Sequence, residues 1–454
     1  MATPLKIGII GAGSAGFSLG LVKDVCLTEN LAGSLISFMD VDGERLDMVH
    51  RLAVRYADEV GADLRFETTQ DRQDAIRDAD FVINTAYIKG HYHARAMRDI
   101  TAKYGYFYGG VSSGGAETYQ FMLDVCADIA ELSPKAWLIQ TQNPVFGGTT
   151  LMTRETDVNV VGLCHGHYGV YEIAKVLGLT DVEDITWQAP GLNHNIWLTH
   201  FYYKGQDAYP LLDEWIEREG ERYWQTHLAE RTHDTQMSRG TIHQYHMYGL
   251  MPIGDTPRQG GWWWYHTDME TKKRWFGEPF GGPDTPYARE NYVAGHERRL
   301  AEIKRVAEDP QASVVQTFGA EKTREQHLMI IEGLANNVEQ FVQVNIPNNG
   351  ALPGIPDNVA VEVPAIVNVK GIQPLRVPPL PEKIMLECIL PDWLAMERSL
   401  LAFKTRDRSM LLYNVLQNHQ TRSYDAACAA LEEVMHTPGN EDANAFWQYP
   451  KGLL

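Results

Sequence analysis

Three features of the sequence predict an α/β protein, with a doubly wound parallel sheet over 1–190 and a mixed α+β region over 191–454. Short β-branched runs alternate with amphipathic, helix-length stretches through the first 165 residues. A glycine-rich turn, LKIGIIGAGSAG, joins the first run to a helical pattern. Beyond about residue 170 the alternation gives way to a strand-like stretch and then to helices. Strands alternating with helical segments imply parallel pairing, because each crossover must return the chain to the same edge.

The expected strands of the first region are Lys6–Ile10, Leu35–Met39, 81–85, 136–141 and 158–163, with helices over Gly43–Val60 and 118–129 between them. In the second region 186–205 reads as strands and 206–248 as helices. Residues 250–290 are rich in Gly, Pro and Trp and read as a long loop, functional or interfacial. Helical periodicity returns at 289–308 and 322–341, a Pro-punctuated strand-like stretch covers 342–381, and helices close the chain at 383–404 and 407–436. Internal repeats and low-complexity tracts are absent.

Composition narrows the function classes. The formal charge of −19 over 454 residues argues against a nucleic-acid partner, which calls for a basic face. A local Arg or Lys cluster can still oppose that field for a small anion. Five cysteines without a CxxC pair argue against a disulfide framework and fit a reducing compartment. The expectation is a cytoplasmic protein with no leader and no membrane span, since no apolar run approaches ~20 residues.

Gly11, Gly13 and Gly16 take the GxGxxG spacing directly after a strand and before a helix. The first permits a tight turn, the second lets backbone approach a pyrophosphate, and the third allows close helix–strand packing, with Ser14 inside the turn. Asp40 ends the next strand, where a carboxylate bonds ribose hydroxyls and repels a 2′-phosphate; this favours NAD over NADP. This is the Rossmann pattern. Thr85 ends another strand, and Asn143, before Pro144, ends a third, so both fall on the edge where such sheets bind ligands. An Asn-Pro pair is as readily a plain turn.

The 158–163 run leads into Cys164-His165-Gly166-His167, and GLNHN places Asn193 and His194 at a further junction. A thiolate and an imidazole make two protein ligands, leaving metal positions open for substrate, as a catalytic site requires. A buried cysteine is equally at home as an inert small hydrophobe.

Taken in order, KIGIIGAGSAG, ADFVINTAYIKG, NPV at 143–145, CHG at 164–166 and GLNH at 191–194 resemble glycoside hydrolase family 4. The resemblance implies a fold like that of lactate and malate dehydrogenases, with NAD and a divalent metal, most commonly Mn2+, as cofactors. It makes Cys164 and His194 the metal ligands and a tyrosine the catalytic base, with Tyr265 first and Tyr245 and Tyr248 behind it. GDTPR at 254–258 places Asp255 and Arg258 near substrate, and His165 or Asp255 would assist the leaving group. The His165-Gly166 pair resembles members acting on uronic acids, α-galacturonidases and α-glucuronidases. Partners for a uronide are then Asn143, Asn193, Arg258, Arg95, Lys89 and His167. A homodimer or homotetramer is implied as well. Two departures stand out: GGVSSGGAET at 109–118 stands where the family usually has a Gln-Glu-Thr stretch before its glycine-rich turn, and the triple tryptophan at Trp262–Trp264 is an unfamiliar feature. Those tryptophans suit a sugar platform, a lid or a subunit contact. Competing readings are a neutral-sugar α-glucosidase or α-galactosidase, a metal-independent 2-hydroxy-acid dehydrogenase on the same fold, and a non-catalytic NAD-binding regulator.

Overall fold

The computed structural model describes residues 4–14, 16–107, 111–227, 236–259 and 262–450, apart from the side chains of 259, 262 and 263. Its centre is a 12-stranded sheet. Six parallel strands form one half: β1 (Lys6–Ile10), β2 (Leu35–Met39), β3 (Arg65–Thr69), β4 (Phe81–Asn84), β5 (Trp137–Gln140) and β6 (Asn159–Gly162). Their order, 3-2-1-4-5-6, is the dinucleotide-binding order, with the topological switch between β1 and β4. The expected strands are all present, each within two residues at either end. β3 was not foreseen: RFETT lies on the edge, and most of its side chains face solvent, so no apolar run marks it.

The local reasons are legible. The helix Gly43–Val60 starts where the Asp42 side chain accepts the Arg45 N–H, and stops at Gly61 in the left-handed region. Between them Leu46, Val49, Leu52, Ala53 and Tyr56 bury one stripe at three- and four-residue spacing. Ile7, Ile9 and Ile10 of β1 and Phe81, Val82 and Ile83 of β4 are buried because helices cover both faces of the sheet.

The sheet does not end with the parallel half. Gln340–Pro347 lies antiparallel to β6 through Asn345 and Gly162, and Ala360–Asn368 follows it along its whole length. Gly191–Leu192, Asn195–Leu198 and Met251–Ile253 continue outward. One sheet therefore crosses the expected boundary at 190. Part of the 250–290 loop expectation also changes, since Met251–Ile253 is a strand and Thr256–Gln259, Trp262–Tyr265 and Met269–Phe276 are helical. The expected helix 322–341 is confined to His327–Asn336, and 407–436 is two helices, Arg408–Gln417 and Tyr424–Met435. The polar NHQTRS stretch breaks it, and Ser423 caps the second by accepting the Ala426 N–H. Among the described residues no helix is long and apolar enough to cross a membrane.

Candidate active site

Register builds the site. Ile10, Asn84, Gln140 and Gly162 lie side by side across four parallel strands, so the residues that follow them share the carboxyl edge. Beneath that edge the Asn84 amide donates to Gln140 and Gln142 at 2.9 and 3.0 Å, tying two strand ends together.

At the switch point Gly11 has φ 87° and donates to the Met39 carbonyl at 2.9 Å. A Cβ there would lie 2.6 Å from the Ala86 backbone, so the crossing of β1 and β4 requires glycine. Gly13 N donates to Asp40 Oδ2 at 2.7 Å, and Asp42 N to Asp40 Oδ1 at 3.0 Å, which aims the carboxylate beside the turn. The Thr85 hydroxyl donates to the carbonyls of Ile10 and Gly11. Ser14 sits 3.3 Å from the Ser18 hydroxyl, and the helix Gly16–Cys26 begins above it. Arg299 crosses this helix start, with Nε 3.0 Å from where a Gly16 Cβ would be. Sequence reading missed Arg299, which lies almost three hundred residues from the turn.

A cleft of about 830 Å3 opens from this turn, and its walls include Thr85, Asn143, His165, His194, Asp255 and Arg258. His194 is held at φ 65° and its ring is hydrogen-bonded to Cys164, with Nε2 3.4 Å from Asp255 Oδ2. Burial alone would lower the His194 pKa, but the neighbouring Cys164 sulfur and Asp255 carboxyl raise it to about 10. The pocket thus favours a positive charge between thiol and imidazole, which fits a divalent cation. Among the described residues no cluster of three metal-ligating side chains closes a shell. Two ligands with open positions is the donor set of a catalytic site.

His165 points into the cleft and pairs through Nδ1 with Glu325 at 2.9 Å. Burial opposes protonation, but the Glu325 bond and charge raise its pKa to about 9. No motif marked Glu325.

Several expected roles need correction. Tyr265 is buried, with its hydroxyl 2.7 Å from His243 Nδ1, and it does not reach the cleft. Tyr245 bonds Asp213, and Tyr248 packs on Trp197. His167 stacks on Trp187, and burial lowers its pKa to about 4, so it is a neutral core histidine rather than a substrate ligand. Asn193 is buried and donates to Glu362 at 3.0 Å, bracing the turn beside His194. Arg258 lines the cleft, yet its fork is taken: Nε and Nη2 donate to Asp284 at 2.8 and 2.7 Å, and Nη1 donates to Asp255 at 2.7 Å. It positions Asp255 instead of gripping an anion. Lys89 is likewise engaged by Glu117 and Asn440. Arg95 does reach the cleft, 3.8 Å from Asp99 and 40% exposed. The side chains of Trp262 and Trp263 lie outside the described residues.

The cleft also holds residues that went unnoticed. Tyr87 and Tyr292 flank His91, with ring centroids at 4.7 and 5.3 Å, and His296 lies 4.7 Å from it. Burial keeps both histidines on the neutral side. A signal existed: YIKGH at 87–91 and YVAGH at 292–296 share one pattern. Arg98, 53% exposed, reaches only to 3.9 Å from Asp284.

Residues 6–179 match the family model described as Family 4 glycosyl hydrolase, and residues 189–421 that of its C-terminal domain. An alpha-galactosidase of Bacillus subtilis is 26% identical over 84% of this chain and 85% of its own length. An alpha-galacturonidase of Lachnoclostridium phytofermentans is 24% identical over 90% of both chains. Among solved structures, a 6-phospho-alpha-glucosidase from gut microorganisms, in complex with NAD and Mn2+, aligns at TM-score 0.77 and 19% identity over 99% of this chain and all of the other. A lactate dehydrogenase from Eimeria maxima aligns at TM-score 0.54 and 14% identity, covering 89% of this chain and 96% of that one. These last two likenesses concern the fold.

Proposed function

The chain belongs to the family 4 glycosyl hydrolases, and on that premise we propose that it is an NAD- and divalent-metal-dependent glycosidase acting on an α-linked uronide. The observation that carries the reading is His194, bonded to Cys164, lining the same cleft as the glycine-rich turn. A dehydrogenase needs the second feature and not the first.

When bound, NAD would supply a reversible hydride acceptor, and the cation, Mn2+ in this reading, would supply Lewis acidity at the sugar oxygens. Cys164 and His194 would hold the cation, and Gly11, Gly13, Ser14, Gly16, Asp40 and Thr85 the dinucleotide. Oxidation at C3 acidifies the C2 proton. A cleft tyrosine, Tyr87 or Tyr292, takes the role expected of Tyr265 and removes that proton. His165, kept protonated by Glu325, donates its Nε2 proton to the leaving oxygen. Asp255, fixed by Arg258, orients His194. The overall reaction, elimination at C1 and addition of water, is a redox-neutral hydrolysis and needs no pair of flanking carboxylates.

The substrate's anionic group falls to Arg95 and Arg98, the cleft arginines held only by long contacts. The α-galacturonidase relative and the His165-Gly166 pair favour a carboxylate as that group. The exposed Leu386, Leu394, Leu401 and Tyr413 give the C-terminal helices an apolar surface suited to a homodimer or homotetramer.

The test is release of nitrophenol from a panel of α-galacturonide, α-glucuronide, neutral and 6-phosphorylated glycosides, with NAD+ and Mn2+ under reducing conditions. Turnover of a uronide that requires both additions without net NADH is expected. NADH accumulating from a 2-hydroxy acid, with the panel silent, would sink the glycosidase reading.

A further inference from the structure

A second cavity of about 250 Å3 lies behind the first. It shares Asn143, Pro144 and His194 with the main cleft and touches none of the glycine-rich turn. One wall is a face of the helix Leu390–Thr405, presenting Asp392, Ala395, Met396 and Ser399 at successive turns, and the opposite wall is Tyr119 with the segment after Asn143.

Its chemistry differs from that of the cleft. Among the described residues neither Lys nor Arg lines it. Tyr119 is 95% buried by its 5% exposure, yet its hydroxyl has no hydrogen-bond partner among the described residues. With no protein acceptor beside it, the phenol on this wall keeps its donor for a group in the cavity. Asp392 has one long bond, 3.5 Å from the Asn195 amide, and burial pushes its carboxyl up to about 6. Asn193 has its amide nitrogen committed to Glu362, leaving the carbonyl oxygen as an acceptor. Pro144, Phe146, Ala395 and Met396 add an apolar floor. Away from His194, at the mouth shared with the cleft, polar groups over an apolar surface with no Lys or Arg among the described residues suit a neutral pyranose better than an anion.

We propose that this annex is the leaving-group subsite, binding a neutral sugar ring linked to the anionic sugar in the cleft, with Tyr119 and Asp392 as its polar contacts. The inference rests on the glycosidase reading of the cleft. The annex lies beyond Asn143 and His194 from the dinucleotide turn, so it receives the part of the substrate that does not meet the cofactor. The preferred substrate is then a mixed disaccharide, with the charged ring on the arginine side and the neutral ring in the annex.

The experiment compares two substrates sharing one uronosyl group, a nitrophenyl uronide and a uronosyl-hexose disaccharide, on the protein with NAD+ and Mn2+. Tyr119→Phe and Asp392→Asn should each lower the disaccharide-to-nitrophenyl ratio of kcat/KM at least tenfold, through KM. An unchanged ratio, or equal loss on both substrates, overturns the proposal. Saturation-transfer NMR with the disaccharide needs no turnover. Transfer to the neutral ring in the wild type that is lost in Tyr119→Phe supports the annex even where no glycoside is cleaved. A protein that cleaves the nitrophenyl uronide but shows no transfer to that ring keeps the glycosidase reading and removes the annex.

Discussion

Gly13→Ala tests the cofactor site at its tightest point. A Cβ on Gly13 would lie 2.6 Å from Asp40 Cγ and 2.7 Å from its Oδ2, well inside contact distance. Asp40 is not free to swing, because one oxygen accepts the Gly13 N–H and the other the Asp42 N–H. Relieving the overlap breaks at least the first of these bonds and turns the carboxylate away from where ribose hydroxyls would sit. Overpacking of this kind costs about 1–3 kcal/mol in the free protein, seen as a fall of a few degrees in Tm. Losing charge-assisted bonds to the ribose costs about 1.5–3 kcal/mol more on binding, or roughly 10- to 150-fold in Kd. Calorimetric titration of NAD+ into both proteins, with thermal unfolding alongside, reads the two terms separately. The double variant Gly13→Ala/Asp40→Ala removes the overlap, so its Tm should recover while its affinity stays low. An alanine variant that binds NAD+ within about twofold of the wild type would show that Asp40 and this turn do not hold the dinucleotide.

Cys164→Ser and His194→Ala should each weaken Mn2+ binding and metal-dependent turnover by at least ~100-fold, since even groups that merely brace ligands cost about 10- to 100-fold; spin resonance of free Mn2+ measures the affinity directly, and unchanged binding in both would move the metal elsewhere. Tyr265→Phe should keep turnover within about threefold and lose about 0.5–1.5 kcal/mol of stability from the His243 bond; a drop of several hundredfold in kcat would return the base role to Tyr265. Lys272 is fully buried, and burial lowers its pKa from 10.5 to about 7. The unfolded chain therefore binds more protons between those values, so stability rises with pH across that window. Urea unfolding at several pH values should show that rise flattened in Lys272→Met, and identical slopes in the two proteins would contradict it.

Local signals gave the parallel half because they are local in origin. β1 and β2 were legible to the residue, since each is an apolar run bounded by turn residues. The polar edge strand Arg65–Thr69 carries no such signal, because its pairing partner defines it. The same division holds in the site. Gly11, Gly13 and Asp40 announce themselves through backbone geometry, and Cys164 and His194 through the order of short motifs. Glu325, Asp284 and Arg299 were invisible, since each acts on a residue far off in sequence. Arg258 shows the converse error: its charge was legible, but not the two carboxylates that occupy it. Tyr265 fits the base role by its neighbourhood in sequence, but its side chain turns into the core.

The sheet that runs past residue 190 ties the two regions of the chain together. β6 has a parallel neighbour on one side and Gln340–Pro347 on the other, so the strand leading to Cys164 is completed by residues from the last third of the sequence. A fragment stopped at 190 would bare that strand's edge, an apolar template for pairing with other copies. The mirror fragment would lack the surface on which its own strands are laid. Ribosomal synthesis therefore leaves the nucleotide half unfinished until Gln340–Pro347 emerges, and gene fusions or circular permutants that respect this closure should be sought at the Lys204–Gly205 hairpin rather than at the domain seam the sequence suggests.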